Sequence, residues 1–136
     1  MIEQKYITVP AVKRGFHLIT PLITKELGKL PEKGLVNVFI KHTSAGLSIN
    51  ENYDPSVRLD METISDRLIP DGASNYVHDM EGDDDMPAHF KSSMFGCSLT
   101  IPISGGKLAL GTWQGIYLCE FRNSGGSRQI IVTIYS

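Results

Sequence analysis

The sequence predicts an α+β domain built on a largely antiparallel sheet, and three observations carry that reading. Several runs alternate apolar and polar residues with period two. Two other runs repeat at helical spacing behind a polar residue followed by proline, Thr20-Pro21 and Asp54-Pro55. Towards the C-terminus, three or four strand-like runs follow one another with no helix between them, the order of an α+β fold rather than of alternating βα units.

Taken in order, Ile2 to Val9 reads as a strand closed by Pro10, and Gly15 to Ile19 as a short extended piece. Thr20 offers an N-cap hydroxyl and Pro21 suits the first helical position, where its missing N–H costs nothing. Leu22, Ile23, Leu27 and Leu30 give that helix an apolar face, ended by Gly28 or Pro31. From Gly34 to His42 the period is two, with Val36, Val38, Ile40 and His42 on the covered face. Thr43 to Gly46 interrupts the strand and Leu47 to Asn50 resumes extended structure. Asp54 and Pro55 start a second helix, with Val57, Met61, Ile64 and Leu68 on one face, that runs to about Ile69. Strand-like runs then cover Cys97–Ser104, Lys107–Gln114, Gly115–Arg122 and Gln129–Tyr135, with a turn at Asn123–Gly126.

Composition narrows the class. With 136 residues, 41% hydrophobic and 21% charged, the chain suits one globular domain and not a disordered or coiled-coil segment. A net charge of −2 and a pI near 6.0 leave no basic footprint for nucleic acid. No apolar run approaches the ~20 residues of a membrane span, and the N-terminus has no signal-like apolar stretch, so a cytoplasmic protein with no membrane partner is expected. Cys97 and Cys119 lie in apolar strand patterns and read as reduced core thiols, in preference to a disulfide or a nucleophile.

The chemistry gathers in Tyr76–Ser93, which holds His78, Asp79, Glu81, Asp83, Asp84, Asp85, His89, Lys91, Ser92 and Ser93. The stretch lacks apolar periodicity and reads as a loop. Its acids need a counter-charge, and a divalent cation is the simplest one: carboxylates suit magnesium or manganese, imidazoles suit zinc and later transition metals. A solvated acidic surface loop is the bland alternative, although two histidines bracketing the acids would add nothing to solubility. Elsewhere, His42 ends an apolar strand, either as a hydrogen-bonded core residue or beside the small-residue turn Thr43-Ser44-Ala-Gly, which could present N–H and hydroxyl groups to an anion. Glu120 shares strand parity with Gln114, Ile116 and Leu118 and should point inward, where a carboxylate needs a metal, a proton or an arginine such as Arg122 or Arg128. By spacing, the candidate site is His42, His78 and His89 with some of Asp83–Asp85 on a metal, Lys91, Ser92 and Ser93 on phosphate, and Trp113 as core or as a wall for a flat ring.

His42-Thr-Ser-Ala-Gly-Leu-Ser-Ile-Asn-Glu51, Asp54-Pro-Ser-Val-Arg-Leu-Asp-Met-Glu62, the run His78–Ser93, and Gly111-Thr-Trp-Gln-Gly-Ile116 with Glu120 together resemble the YjbQ family. Arg14-Gly-Phe-His17 and Gly125-Gly-Ser-Arg128 extend the resemblance over nearly the whole chain, in order and spacing. It implies a small α+β domain with a β-sandwich-like core and two or three helices, assembled as a homotrimer. It also implies weak, secondary thiamine-phosphate synthase activity, the joining of a hydroxymethylpyrimidine diphosphate to a thiazole phosphate with loss of diphosphate. Dedicated synthases of that reaction are TIM barrels of about 200 residues or more, too long for this chain.

Such a transfer asks for stabilisation of the departing diphosphate and alignment of two rings. Magnesium on Asp83, Asp84 or Asp85 would neutralise the diphosphate; Ser44, Lys91, Ser92 and Ser93 would bind its oxygens; His42, His78 or His89 would supply protons; Trp113 and Gln114 would face the rings. Two other readings use the same residues. One is a metal-dependent hydrolase of a small phosphorylated metabolite, with the histidines and Glu120 around a zinc-type ion. The other is a non-catalytic binder of such a metabolite. A pocket completed between subunits is a further expectation.

Overall fold

Two antiparallel sheets lie face to face, and two helices cover the back of the smaller one. A computed structural model describes the chain from Met1 to Ser136. Its elements are β1 (Ile2–Val9), β2 (Gly15–Leu18), α1 (Thr20–Leu27), β3 (Lys33–Ile40), β4 (Ala45–Glu51), α2 (Pro55–Leu68), α3 (Asp85–Phe95), β5 (Ser98–Ser104), β6 (Lys107–Leu108), β7 (Gln114–Glu120) and β8 (Arg128–Tyr135). One sheet runs β1-β8-β3-β5-β6 and the other β2-β7-β4. This is the α+β, sandwich-like architecture that the sequence predicts, with three helices. No helix is long and apolar enough to cross a membrane.

The period-two pattern builds the core. Val36, Val38 and Ile40 of β3 meet Ile130, Val132 and Ile134 of β8 and Ile101 and Ile103 of β5, and face Ala45, Leu47, Ile116 and Leu118 of the smaller sheet. Ile23 and Leu27 of α1 join the same cluster. Burying such side chains contributes about 1.5–3 kcal/mol each. β7 is buried on both faces: Ile116 and Leu118 point between the sheets, while Tyr117 and Cys119 point back into a second cluster with Phe16, Ala88 and Phe121. The ring of Phe95, on α3, packs edge-on to Phe16 at 5.4 Å.

Several local expectations change. Asp54 caps α2 as expected, its carboxylate accepting the Ser56 N–H at 2.9 Å. Thr20 does not cap α1: Ile19 takes the N-cap position, and the Thr20 hydroxyl accepts the Ile116 N–H at 2.8 Å instead. Lys107–Gln114 is not one strand, since β6 stops at Leu108 and a turn precedes β7. Cys119 is a buried free thiol whose pKa burial pushes up, but Cys97 is exposed, not a core residue.

The largest change is α3, which occupies much of the stretch read as a loop. Its buried positions are Asp85, Pro87, Ala88, Lys91 and Ser92. Residues 85, 88 and 92 repeat at helical spacing, but polar side chains occupy most of that face, so the apolar signature of an amphipathic helix is missing.

Candidate metal centre

Three segments converge at one end of β4 and β7. Register pairs Ala45 with Glu120 there, so the β3–β4 connection, residues 41–44, lies beside the chain leaving β7. α3 packs against β4 and brings Asp85 and His89, one turn apart, to the same end. His78 arrives from the connection between α2 and α3. That connection is tied down by Arg14, which donates to both carboxylate oxygens of Asp71 at 2.5 and 2.7 Å, and by the Tyr76 hydroxyl on the Pro70 carbonyl at 2.9 Å.

His78, Asp85 and His89 form the cluster. Asp85 Oδ2 lies 2.5 Å from His78 Nε2 and 3.2 Å from His89 Nε2, and one donor atom from each residue falls within 4.8 Å of the others. Asp85 is 2% exposed, and Arg122 donates to its other oxygen at 2.5 Å. Burial opposes ionisation of Asp85, but the His78 hydrogen bond and the charges of His89 and Arg122 outweigh it and hold the carboxyl below its usual range. His89 Nδ1 lies 2.8 Å from the Thr43 carbonyl. A carbonyl only accepts, so Nδ1 carries a proton and Nε2 is the ring nitrogen turned to Asp85. At 3.2 Å from a carboxylate oxygen, Nε2 either donates a proton to it or shares a cation with it. The orientation of a ligating histidine by a carbonyl on its other nitrogen is the usual outer support of a metal site.

An open cavity of about 400 Å³ adjoins the cluster, lined by His42, Thr43, His89, Ser92, Ser93, Gly96 and Cys97. His42 Nε2 accepts the Gln129 N–H at 2.8 Å, which leaves the ring proton on Nδ1. Burial and the neighbouring Arg128 charge push the His42 pKa down, so it is a neutral donor near pH 7. A smaller space of about 140 Å³ lies on the His78 side, against Tyr76, Asp79 and Asp83.

The other expected site residues are distributed differently. Asp83 is exposed beside Gly72, and Asp84 accepts from Arg122 Nε at 3.0 Å and from the Asn123 N–H at 2.9 Å. Neither belongs to the cluster, and no site made of the three aspartates assembles. Lys91 is fully buried against Asp66 at 2.6 Å, and the Ser92 hydroxyl donates to the Ala45 carbonyl at 2.7 Å, so neither is presented to a phosphate. Ser93 remains exposed on the cavity wall. Glu120 points inward as strand parity requires, but it is completely buried and gripped by Arg128, Nε to Oε1 at 2.7 Å and Nη2 to Oε2 at 2.5 Å. Ser44 accepts from the same Arg128 at 3.0 Å. Gln114 is exposed at the far end of β7, where it bonds to the Gly111 N–H at 2.8 Å. Trp113 lies beyond it, edge-on to Tyr53 at 5.4 Å. Six residue steps of β7, about 20 Å, separate that end from Glu120. Neither Gln114 nor Trp113 therefore reaches the cavity of its own chain. Sequence reasoning missed Arg122 as the residue that orients Asp85; its parity with Glu120 at the end of β7 was the available signal.

Together these features define a small α+β sandwich carrying a two-histidine, one-carboxylate cluster beside an open cavity. The profile described as UPF0047 protein YjbQ-like matches residues 5–136, and the chain belongs to that family. It is 52% identical to the UPF0047 protein YjbQ of Escherichia coli O157:H7, over 98% of both chains. Among solved structures, an uncharacterized conserved protein of the YjbQ/UPF0047 family from Clostridium acetobutylicum superposes with a TM-score of 0.84 at 39% identity, covering 96% of this chain and 98% of that one. A YbjQ-like protein of Sulfolobus solfataricus P2, 24% identical, shares the fold with a TM-score of 0.86, over 98% of this chain and 96% of its own.

Proposed function

We propose that this chain is a divalent-metal-dependent enzyme acting on a small phosphorylated metabolite, with His78, Asp85 and His89 as the metal ligands. The observation that carries the proposal is the close approach of three donor atoms, within 4.8 Å, with His89 oriented by the Thr43 carbonyl. Two imidazoles and one carboxylate suit zinc, iron(II) or manganese better than magnesium, which prefers an all-oxygen shell. Three protein ligands leave positions open on the ion, as catalytic sites do and structural sites do not. When bound, such an ion supplies Lewis-acid stabilisation of charge developing on a phosphoryl oxygen. His42, neutral and protonated on Nδ1, serves as hydrogen-bond donor to substrate, and Thr43 and Ser93 line the same wall. Arg122 keeps Asp85 ionised and in place.

Thiamine-phosphate formation lies within this proposal as one transfer to be assayed, next to hydrolysis of phosphate esters. The proposal also includes a cytoplasmic location, which two unpaired cysteines support, and a homotrimer. The open face of the five-stranded sheet supports self-association: Tyr6, Ile131 and Phe39 form one cross-strand row, and Ile2, Tyr135 and Leu35 another.

The test is elemental analysis of the purified protein beside His78→Ala and His89→Ala, followed by turnover with zinc, manganese or magnesium. Substrates would be the two thiamine-phosphate precursors and a panel of phosphorylated metabolites. Near-stoichiometric metal in the wild type, lost in both variants together with turnover, is expected. Metal-independent turnover that survives both substitutions would overturn the proposal.

A further inference from the structure

Glu120 is the buried group that the proposed chemistry leaves unused, and its contacts run in two directions. Its carboxylate holds the Arg128 guanidinium through two bonds, and Arg128 Nη2 donates onward to the Ser44 hydroxyl at 3.0 Å and the Ser44 carbonyl at 3.3 Å. Ser44 adjoins Thr43, whose carbonyl orients His89. In the other direction, Glu120 Oε2 accepts the Arg122 backbone N–H at 3.1 Å, and the Arg122 guanidinium grips Asp85. Two of the three donor residues therefore trace back to one carboxylate.

The surroundings are built for this arrangement. Glu120 is 0% exposed and Arg128 4%. A Cβ on Gly125 would lie 2.6 Å from both Arg128 Nη2 and Glu120 Oε1, so only glycine lets the β7–β8 turn close over the pair. The 42–45 segment is fastened at each residue: His42 to the Gln129 N–H, Thr43 to His89, Ser44 to Arg128 and Ala45 to the Ser92 hydroxyl. A simple stabilising ion pair would not require these onward bonds, and a buried pair is often no more stable than apolar residues of similar volume.

We propose that Glu120 is a positioning residue of the metal centre, setting His89 through Arg128 and the 42–45 segment and Asp85 through Arg122. The inference rests on the metal reading above, and its test separates the two. Zinc affinity, by competition with a chromophoric chelator, and the ¹⁵N shifts of the His89 ring are measured for the wild type, Glu120→Gln, Arg128→Lys and Ser44→Ala. Outer-shell substitutions of this kind weaken metal binding by roughly 10–100-fold. That loss is expected for Glu120→Gln and Arg128→Lys, with His89 passing from a single Nδ1–H tautomer to a mixture. Should Glu120→Gln fail to fold, Ser44→Ala carries the test, because it removes the shorter of the two Arg128–Ser44 bonds, leaves only the 3.3 Å bond to the Ser44 carbonyl, and keeps the Glu120–Arg128 pair intact. Unchanged tautomer and unchanged zinc affinity in folded variants would make Glu120 purely structural and overturn the proposal. A wild type without zinc affinity would sink the metal reading alone, and the tautomer in metal-free protein would still decide whether Glu120 positions His89.

Discussion

Lys91 and Asp66 form a lopsided ion pair, and that lopsidedness predicts unequal costs for removing either partner. Lys91 Nζ is completely buried, 2.6 Å from Asp66 Oδ1 and 5.9 Å from the centre of the Phe121 ring, whereas the Asp66 side chain is 41% exposed. Coulomb attraction at that separation is about 6 kcal/mol for an effective dielectric near 20, before water around Asp66 screens it. Desolvating the ammonium costs several kcal/mol, so the pair contributes little net stability. Asp66→Ala strands a buried charge and should cost about 3–5 kcal/mol; Arg14 still keeps Asp71. Lys91→Met returns Asp66 to water and fills the space with a chain of similar length, so a change between zero and a few kcal/mol of stabilisation is expected. Urea unfolding reads both. With a slope of about 2 kcal/mol/M, Asp66→Ala should lower the midpoint by roughly 2 M, and Lys91→Met should hold or raise it. Equal destabilisation by the two substitutions would refute the reasoning, and loss of phosphate-ligand binding in a stable Lys91→Met protein would restore Lys91 to the site.

Two further outcomes are expected. Asp84 and Asp85 are held below the usual carboxylate range despite burial, so their stabilisation is complete above the unfolded value of about 3.9 and is lost as pH falls through their lower folded values. Unfolding free energies from pH 7 to 2 should therefore fall less steeply at the acid end in Asp85→Asn than in wild type; parallel curves would contradict the assignment. For the assembly, light scattering of a Tyr6→Asp, Phe39→Lys variant should give a monomer with unchanged circular dichroism, since both residues lie on the open sheet face and neither joins the core. A trimer that persists would place the contact elsewhere.

The sheet was legible because apolar residues carry its period. Val36, Val38, Ile40, Ile101, Ile103, Ile130, Val132 and Ile134 all occupy core positions at alternate steps. The same parity placed Glu120 inside, while its partner, Arg128, was one of two candidates that only three-dimensional packing could separate. α3 was illegible for the converse reason: the face it buries is Asp85, Ala88, Lys91 and Ser92, and a helix that satisfies polar groups in its interface leaves no hydrophobic stripe to read. Strand periodicity also overreached. It extended through Leu110 to Gln114, where the chain turns, and parity with Glu120 gave no sign that Gln114 is exposed at the opposite end of β7.

The acidic run shows how a correct question found a different answer. Three consecutive aspartates do need counter-charges, but successive residues entering a helix point about 100° apart, and here the three do not converge on one ion. Asp83 faces Gly72 in the preceding connection, Asp84 turns to Arg122 and the Asn123 N–H, and Asp85 alone turns inward between the histidines. Arg122 therefore neutralises two of the acids that were candidates to hold a cation, gripping Asp84 at Nε and Asp85 at Nη1. That leaves one oxygen of one aspartate for a metal. A single carboxylate oxygen beside two imidazoles is a poor magnesium site and a good one for a softer ion. The geometry of three residues at the start of α3 thus favours the histidine-based chemistry over the diphosphate chemistry that the acidic run alone would suggest.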